Sequence, residues 1–305
     1  MTSKLCSLSD AVSRFVPDGC SVVTGTCLEQ KIPFAAGHEI IRQGRRDLVL
    51  VGPISDILFD QMIGAGCVRK VMAAWVGNVM MGSGYNFRRA VEEGVPHPLE
   101  VVDYTNYTLA LALHAAALGV PFLPTRSALG TSVLAGNPEL VAFDSPVGQD
   151  RLVAVKALHP DVAIVHACRA DAHGNGMMWG NLGVTADAVA AAKHVIVLAE
   201  EVVAPEDLRK DPNRVIVPGF RVDAVCHVPF GCHPSPVQGY YHRDHDHFRE
   251  YHRASRTRSD FEHWLSEWVL GPGSHEAYVR KLGAEAVSVL RSRPEVHGWV
   301  APTGA

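Results

Sequence analysis

Short apolar runs alternate with amphipathic segments along the first 125 residues of the chain. Runs rich in Val, Ile and Leu are typical of buried strands, and apolar residues recurring every three or four positions are typical of helices. The predicted strands are Cys20–Thr24, Leu48–Val51, Val68–Val76 and Leu99–Tyr104. The predicted helices begin at Leu8 and span Pro33–Gln43, Ile57–Gly64, Phe87–Glu93 and Tyr107–Leu118, and Gly44, Gly94 and Gly119 follow the last residues of three of them.

Strands that alternate with helices over short loops indicate parallel strands joined by crossover helices. We therefore expect an α/β fold with a doubly wound, mostly parallel sheet and flanking helices. The pattern resumes at Leu152 and continues to about Phe230, whereas Ala128–Asp150 is rich in Gly, Pro and Ser and is predicted to be a long loop. A polar, helical tail follows, in which Phe261–Leu270 is apolar on one face. We expect a single domain over residues 1–305, with an α/β core at about 5–235 and a helical C-terminal extension at about 240–290.

The segment Val162–Glu201 has the pattern of a βαβ unit. Two apolar runs flank a Gly/Asn turn and an Ala-rich helix. Gly174-Asn175 supplies the positive φ that a tight turn at a strand end needs. Because open α/β sheets bind ligands at the carboxyl ends of their strands, Gly174 and Asn175 are candidate site residues.

A second candidate is the loop between the first strand and its helix, which contains Gly25, Thr26 and Cys27. A glycine there lets backbone N–H groups approach a ligand, and such donors can stabilise an oxyanion. A plain connecting loop is the structural alternative. A nucleophilic Cys27 is another, because a thiol near a helix N-terminus has a lowered pKa, but no histidine lies at a recognisable spacing.

The loop Trp75–Asn86 after the third strand combines Gly77, Asn78 and Ser83 with two methionines. Polar groups beside an adaptable apolar lining suit a substrate pocket, although a flexible surface loop has the same composition. Asp103 adds a carboxylate at the end of the fourth strand. Glu200-Glu201 ends a buried strand, and a capping or ion-pairing role is favoured there over a reactive one.

Histidines are concentrated between Cys232 and His252. They are crowded and lack the spacing that would set two ligands on one helical face, so we predict no metal site and a solvated or partner-facing surface.

Composition excludes several classes of function. A net charge of −4 offers no electrostatic basis for binding nucleic acid or an anionic membrane. The seven cysteines form no Cys-x-x-Cys pair, which indicates reduced thiols. No apolar run reaches the roughly 18 residues of a membrane span, and the first residues contain no apolar signal core. These features predict a cytoplasmic protein.

Ordered motifs along nearly the whole chain make it similar to the α subunits of the family I coenzyme A-transferases. The resemblance runs from Leu8–Ala11 to Tyr278–Gly283. The more specific stretches are Glu39–Gly44, Asp103–Thr105, His114–Pro124, Asp171–Asn175, Val222–Val225, Pro229–Ser235 and Glu267–Val269.

The resemblance implies a ping-pong exchange of CoA between two carboxylic acids, and a dicarboxylic acid is the expected acceptor. In the two-subunit members, the glutamate that attacks the acyl-CoA thioester lies on the β subunit. It follows that this chain has no catalytic nucleophile of its own, needs no cofactor, and joins a β subunit in heterodimers that assemble to a tetramer or octamer. Gly25-Thr26-Cys27 stands where the family has a Gly-Gly-Phe-type loop, so the exact oxyanion donor stays open.

Two alternatives remain. One branch of the fold resembles a ring-opening hydrolase of CoA-linked steroid fragments, whose α subunits carry a glutamate in the segment matching Asp103–Asn106. This chain has Asp103 and Asn106 at the ends of that segment, which favours the transferase. The other alternative is a non-catalytic, ligand-binding subunit.

Overall fold

A nine-stranded, mostly parallel sheet forms the centre of the computed structural model, which describes residues 2–292. In their order across the sheet, the parallel strands are β14 (Ala224–His227), β12 (His194–Val202), β10 (Val162–Ala170), β1 (Ser21–Val23), β2 (Leu48–Ile54), β3 (Val68–Trp75) and β6 (Glu100–Asp103). Beside the far end of β10, two antiparallel strands extend the sheet, β11 (Gly176–Met177) and β13 (Val215–Val217).

The chain winds outward from β1 in two directions. It adds β2, β3 and β6 on one side, and later β10, β12 and β14 on the other. In the register, Val22 lies between Leu50 of β2 and Val162 of β10. The predicted doubly wound, mostly parallel sheet is therefore confirmed, and its topological switch point lies between β1 and β10. A crevice at the carboxyl ends of such strands is the usual ligand site of this architecture.

Helices cover both faces of the sheet. Within residues 2–292 they are α1 (Leu8–Phe15), α2 (Phe34–Arg42), α3 (Ile57–Gly64), α4 (Tyr85–Glu92), α5 (Asn106–Leu118), α6 (Ser132–Gly136), α7 (Thr185–Ala191), α8 (Pro205–Arg209), α9 (His245–Ala254), α10 (Arg258–Leu265), α11 (His275–Leu282) and α12 (Ala284–Leu290). None of these is long and apolar enough to cross a membrane. One face carries α1, α2, α3, α9 and α10, and the other carries α5 and α7.

The prediction of a long loop over Ala128–Asp150 is wrong. This segment contains α6 and a strand, β8 (Leu140–Asp144). β8 pairs with β9 (Arg151–Lys156), which pairs with β7 (Phe122–Thr125), and all the pairings are antiparallel. The glycines and prolines mark the turns between these elements, and pairing with β9 buries Leu140 in the core. The residues after α5 thus build a separate three-stranded sheet instead of extending the parallel one.

The C-terminal extension completes one core layer. Phe261, Trp264 and Leu265 are buried, as the apolar face predicted for Phe261–Leu270 requires. They form one hydrophobic cluster with Phe34 of α2 and Leu58 of α3. Burying a side chain of this size stabilises the fold by roughly 1.5–3 kcal/mol, so the extension contributes substantially to stability.

The prediction of a solvated or partner-facing histidine surface is wrong for three of the five histidines between Cys232 and His252. His233, His247 and His252 are buried, whereas His242 and His245 are exposed. The reason is the amphipathic helix α9, which turns His247 and His252 inward together with its apolar residues. Over residues 2–292, no three His, Cys, Asp or Glu side chains are grouped so that they could hold a metal ion.

Burial keeps two of the core histidines neutral. Desolvation lowers the pKa of His38 to about 3, with a further contribution from Arg42. Desolvation also lowers the pKa of His247 to about 3, with His233 as the next cause. In the unfolded chain both groups titrate near 6.5, so between pH 6.5 and 3 the unfolded state binds more protons than the native state. Their contribution to stability is present above pH 6.5 and is lost as the pH falls.

We therefore expect the free energy of unfolding to decrease below pH 6.5, with each buried histidine contributing a slope of about 1.4 kcal/mol per pH unit. His38→Gln removes one titrating group and should flatten the slope by that amount. His263→Gln is the matched control, because the side chain of His263 is 84% exposed. Urea unfolding at several pH values measures both slopes, and an unchanged slope for His38→Gln contradicts the assignment.

Candidate functional site

The loop after β1 lies at the topological switch point of the sheet. Gly25 has a φ of 64°, and a Cβ atom there would overlap Ser55 Oγ and the carbonyl oxygen of Ile54. Both the positive φ and the lack of space for a Cβ atom require glycine at this position. The absence of a side chain lets the β1 loop pass directly against the end of β2.

Hydrogen bonds hold this loop through its carbonyl groups. The Thr26 carbonyl accepts from Val184 N at 2.8 Å, and the Cys27 carbonyl accepts from Asn181 Nδ2 at 3.1 Å. In residues 2–292, the N–H groups of Gly25 and Thr26 have no hydrogen-bond acceptor. Buried N–H groups are rarely left without a partner. Backbone N–H groups without acceptors at the carboxyl edge of a sheet are the kind of donor that can stabilise an oxyanion.

Cys27 lies inside the protein. Its side chain is 1% exposed, and Sγ lies 3.2 Å from Thr185 Oγ1 and 3.7 Å from the Leu182 carbonyl oxygen. Thr26 Oγ1 lies 2.9 Å from the same threonine hydroxyl. The thiol is therefore part of the packing between the loop and α7, and the alternative of a nucleophilic Cys27 is not supported.

The loop after β3 forms a two-stranded hairpin, β4 (Gly77–Asn78) and β5 (Gly82–Ser83). Asn78 shapes its turn, because Oδ1 accepts from Met80 N at 3.1 Å and from Met81 N at 3.2 Å. Asn78 Nδ2 donates to the Phe248 carbonyl at 3.1 Å. Asn78 is thus a buried residue that fixes the hairpin, and the two methionines are exposed at its tip.

Ser83 and Asp103 lie together in a cleft of about 240 Å³. Trp75 and Phe87 give it an apolar wall, and Arg88, which pairs with Glu92 at 3.2 Å, also lines it. The main chain of Asp103 is held by Asn137, whose Nδ2 donates to its carbonyl at 2.8 Å. Asn137, which follows α6, therefore helps to fix Asp103 in this cleft.

The turn at Gly174-Asn175 is held by a part of the chain other than the β1 loop. Gly174 has a φ of 101°, as the turn requires. Asp171 Oδ1 accepts from Asn175 N at 3.0 Å, and Asn175 Oδ1 accepts from Gly219 N at 2.9 Å. A Cβ on Gly174 would contact Val222. These contacts tie the turn to the segment before β14, and none of them reaches Gly25–Cys27.

Glu200 is fully engaged by its neighbours. Oε1 lies 2.7 Å from His166 Nε2 and accepts from Tyr241 Oη at 2.7 Å, while Oε2 accepts from Phe230 N at 2.8 Å. The residue is 6% exposed. A carboxylate with three donors at this burial is a structural group, as the sequence favoured.

Sequence reasoning missed the residues that connect the β1 loop to the hairpin. Gly25 contacts Ser55, and Asp56 Oδ1 accepts from Val79 N at 3.2 Å. Burial raises the pKa of Asp56, and its ion pair with Arg243 opposes that shift. The pair Ser55-Asp56, directly after a buried strand, was a sequence signal that could have identified this part of the site. No comparable signal marked Arg243, because it lies 187 residues further along the chain than Asp56.

Comparison with known proteins identifies the family. The family model described as coenzyme A transferase matches residues 6–227. The chain belongs to the coenzyme A transferase family, as its ordered motifs predict.

Individual relatives match over nearly their whole length. The chain is 40% identical over 280 residues to one subunit of the 3-oxoadipate CoA-transferase of Pseudomonas knackmussii, covering 92% of this chain and 98% of the relative. The crystal structure of glutaconate coenzyme A-transferase from Acidaminococcus fermentans superposes with a TM-score of 0.89 and 33% identity, covering 96% and 97% of the two chains. The cholesterol ring-cleaving hydrolase IpdA subunit of Mycobacterium tuberculosis is 30% identical over 301 residues, covering 93% of this chain and 99% of the relative.

Gly25→Ala should disrupt the site locally. The new methyl group overlaps Ser55 and Ile54 in a left-handed backbone conformation, so we expect a loss of about 1–3 kcal/mol in the free energy of unfolding. Gly136→Ala is the control, since no atom lies within 4 Å of its Cβ position. Thermal unfolding compares the two, and equal melting temperatures contradict the close approach.

Proposed function

We propose that this chain is the α subunit of a two-subunit CoA-transferase that moves CoA between an acyl-CoA and a free acid. The observation that carries the proposal is the Gly25 loop at the switch point, with its two N–H groups left without acceptors in the described residues. Cys27 of this loop is buried, and Glu200 of β12 is fully hydrogen-bonded. The proposed nucleophile is a glutamate of the β subunit, as the resemblance to the two-subunit members of the family implies.

The proposed reaction is a ping-pong exchange. The glutamate carboxylate attacks the thioester carbonyl, and the C–S bond breaks to give a mixed anhydride and the CoA thiolate. The thiolate then attacks the glutamyl carbonyl, which releases the first acid and leaves a glutamyl-CoA thioester. The second acid reverses both steps. The N–H groups of Gly25 and Thr26 stabilise the oxygen that becomes negative, an effect commonly worth about 3–4 kcal/mol per donor.

The proposed acid is a dicarboxylic acid. The acids in the names of the 3-oxoadipate and glutaconate enzymes are both dicarboxylic. In this chain, the cleft of Ser83 and Asp103 offers the Ser83 hydroxyl as a donor for the carboxylate that does not react, and Arg88, whose guanidinium pairs with Glu92, also lines the cleft. Coenzyme A enters as a substrate, and the reaction uses no further cofactor. The proposed assembly is a heterodimer that forms a tetramer or octamer in the cytoplasm.

Co-expression with the cognate β subunit tests the proposal. The purified pair should transfer CoA from succinyl-CoA or a related dicarboxylic acyl-CoA to a second acid, whereas this chain alone should be inactive. Hydroxylamine or borohydride should trap the acyl-enzyme on the β chain. Release of product without an acceptor acid would instead favour the ring-opening hydrolase, which the 30% identity to the IpdA protein keeps as the second candidate. A pair that neither transfers nor hydrolyses would favour a ligand-binding role.

Ser83→Ala should weaken acid binding in the active pair. Losing one hydrogen bond to a carboxylate costs about 1.5 kcal/mol, so KM for the acid should rise roughly tenfold with little change in kcat. Ser13→Ala, on the exposed side of α1, is the control. Steady-state kinetics at varied acid concentration measures both constants. An unchanged KM for the acid would show that Ser83 does not bind it.

A further inference from the structure

Arg243 is a buried cation at the candidate site that the proposed reaction does not use. Its side chain is 10% exposed and pairs through Nη2 with the Asp56 carboxylate. The guanidinium carbon lies 3.7 Å from the centroid of the Phe248 ring. Glu29, on the β1 loop, places Oε2 3.9 Å from Nη1. A single side chain from the segment before α9 thus contacts groups that follow two different strands.

The guanidinium is incompletely satisfied. Nε and Nη1 are buried and have no hydrogen-bond acceptor in the described part of the chain. Glu29 is close enough to Nη1 for electrostatic attraction, but the 3.9 Å separation is too long for a hydrogen bond. Burying a charge in this way is costly, and a hydrophobic residue often stabilises a fold better than a buried ion pair does. Packing alone therefore gives no reason for an arginine here.

Asp56 holds a strained conformation at the other end of the pair. Its φ is 46° and its ψ is −138°, and its side chain is 0% exposed. Non-glycine residues in such regions persist only where their surroundings hold them, and they concentrate at functional sites. Because Asp56 Oδ1 accepts from Val79 N, this conformation fixes the start of the turn in the β4–β5 hairpin.

The same C-terminal segment reaches the hairpin a second time. The carbonyl of Phe248, the residue beneath the guanidinium, accepts from Asn78 Nδ2. Asn78 in turn orients the main chain of Met80 and Met81. The Arg243–Phe248 stack is thus connected to the hairpin through Asp56 and through Asn78.

We propose that Arg243 is a positioning residue that, with Asp56 and Phe248, holds the β1 loop and the β4–β5 hairpin in the geometry that binds acyl-CoA. The inference rests on the proposed function, since it assigns these two loops to the substrate. Arg243 itself touches neither substrate nor reacting atoms. It acts by fixing Asp56 and attracting Glu29, which sets the distance between the oxyanion donors and the cleft of Ser83.

Kinetics of the complex with the β subunit test the role. Arg243→Met leaves Asp56 buried without its partner and is expected to destabilise the chain. The double variant Arg243→Met/Asp56→Asn removes both charges, so it should unfold within about 5 °C of the wild type. We expect the double variant to lower kcat by about 10- to 100-fold, because displacement of a donor by about 1 Å has effects of this size. Arg249→Met, which removes an exposed ion pair on α9, is the control and should leave kcat and KM unchanged.

The conservative variant separates positioning from simple packing. Arg243→Lys keeps the charge beside Asp56 but loses the flat stack on Phe248 and the fork that faces Glu29. It should therefore recover part of the kcat that the double variant loses, while its KM for acyl-CoA should be higher than that of the wild type. A stable double variant with the wild-type kcat and KM would overturn the inference. So would equal losses in the lysine and methionine variants, which a purely structural role would give.

Amide hydrogen exchange gives a readout that does not depend on activity. In Arg243→Lys, and in any methionine variant that folds, exchange should accelerate at Val79, Met80 and Met81 and over residues 28–31, but not in β10. Unchanged exchange at the hairpin contradicts the inference even if the enzyme is active. If exchange accelerates in the variants but the wild-type complex moves no CoA, the structural connection is supported and the proposed function is rejected. The failure of the inference and the failure of the proposed function are therefore distinguishable.

Discussion

The close approach of the ends of β1 and β2 determines the geometry of the candidate site. Gly25 lies so near Ser55 and Ile54 that no side chain fits between them, and its left-handed backbone turns the loop out of the strand direction. The next carbonyl groups are then taken up by Val184 and Asn181. Because the carbonyls are engaged and the preceding N–H groups are not, the loop presents donors at the switch point, where the sheet topology itself opens a crevice.

The C-terminal extension connects this edge to the core. Its aromatic residues pack with α2 and α3 in one hydrophobic cluster, while the segment just before them carries Arg243 to the ends of two strands. Stability and positioning thus come from neighbouring parts of one element. The strain at Asp56 and the unsatisfied donors of Arg243 are tolerated because the apolar burial beside them is large.

Local patterns predicted the parts of the structure that depend on local physics. The strands and helices of the first 118 residues follow from apolar periodicity and glycine caps, and they lie within a few residues of the predicted bounds. The position of the β1 loop at the carboxyl edge of the sheet follows from parallel topology. The pairing of β8 and the contact of Arg243 with Asp56 depend on residues far apart in sequence, so periodicity carried no signal for them. The turn at Asn175 was recognisable, but its partner Gly219 lies 44 residues away, and that contact decides where the turn is placed.

Placing the oxyanion donors and the nucleophile on different chains has a physical consequence under the proposed mechanism. A mixed anhydride reacts readily with water, so transfer of CoA is productive only where water is excluded. The donors of the Gly25 loop are fixed in advance by backbone bonds, and the cleft beside Ser83 is open to solvent at its rim in the single chain. Association with the β chain would cover that rim at the same time as it supplies the glutamate. The reactive carboxylate would then meet the thioester only in a site already closed to water, and the choice between transfer and hydrolysis would be decided at the interface between the two chains.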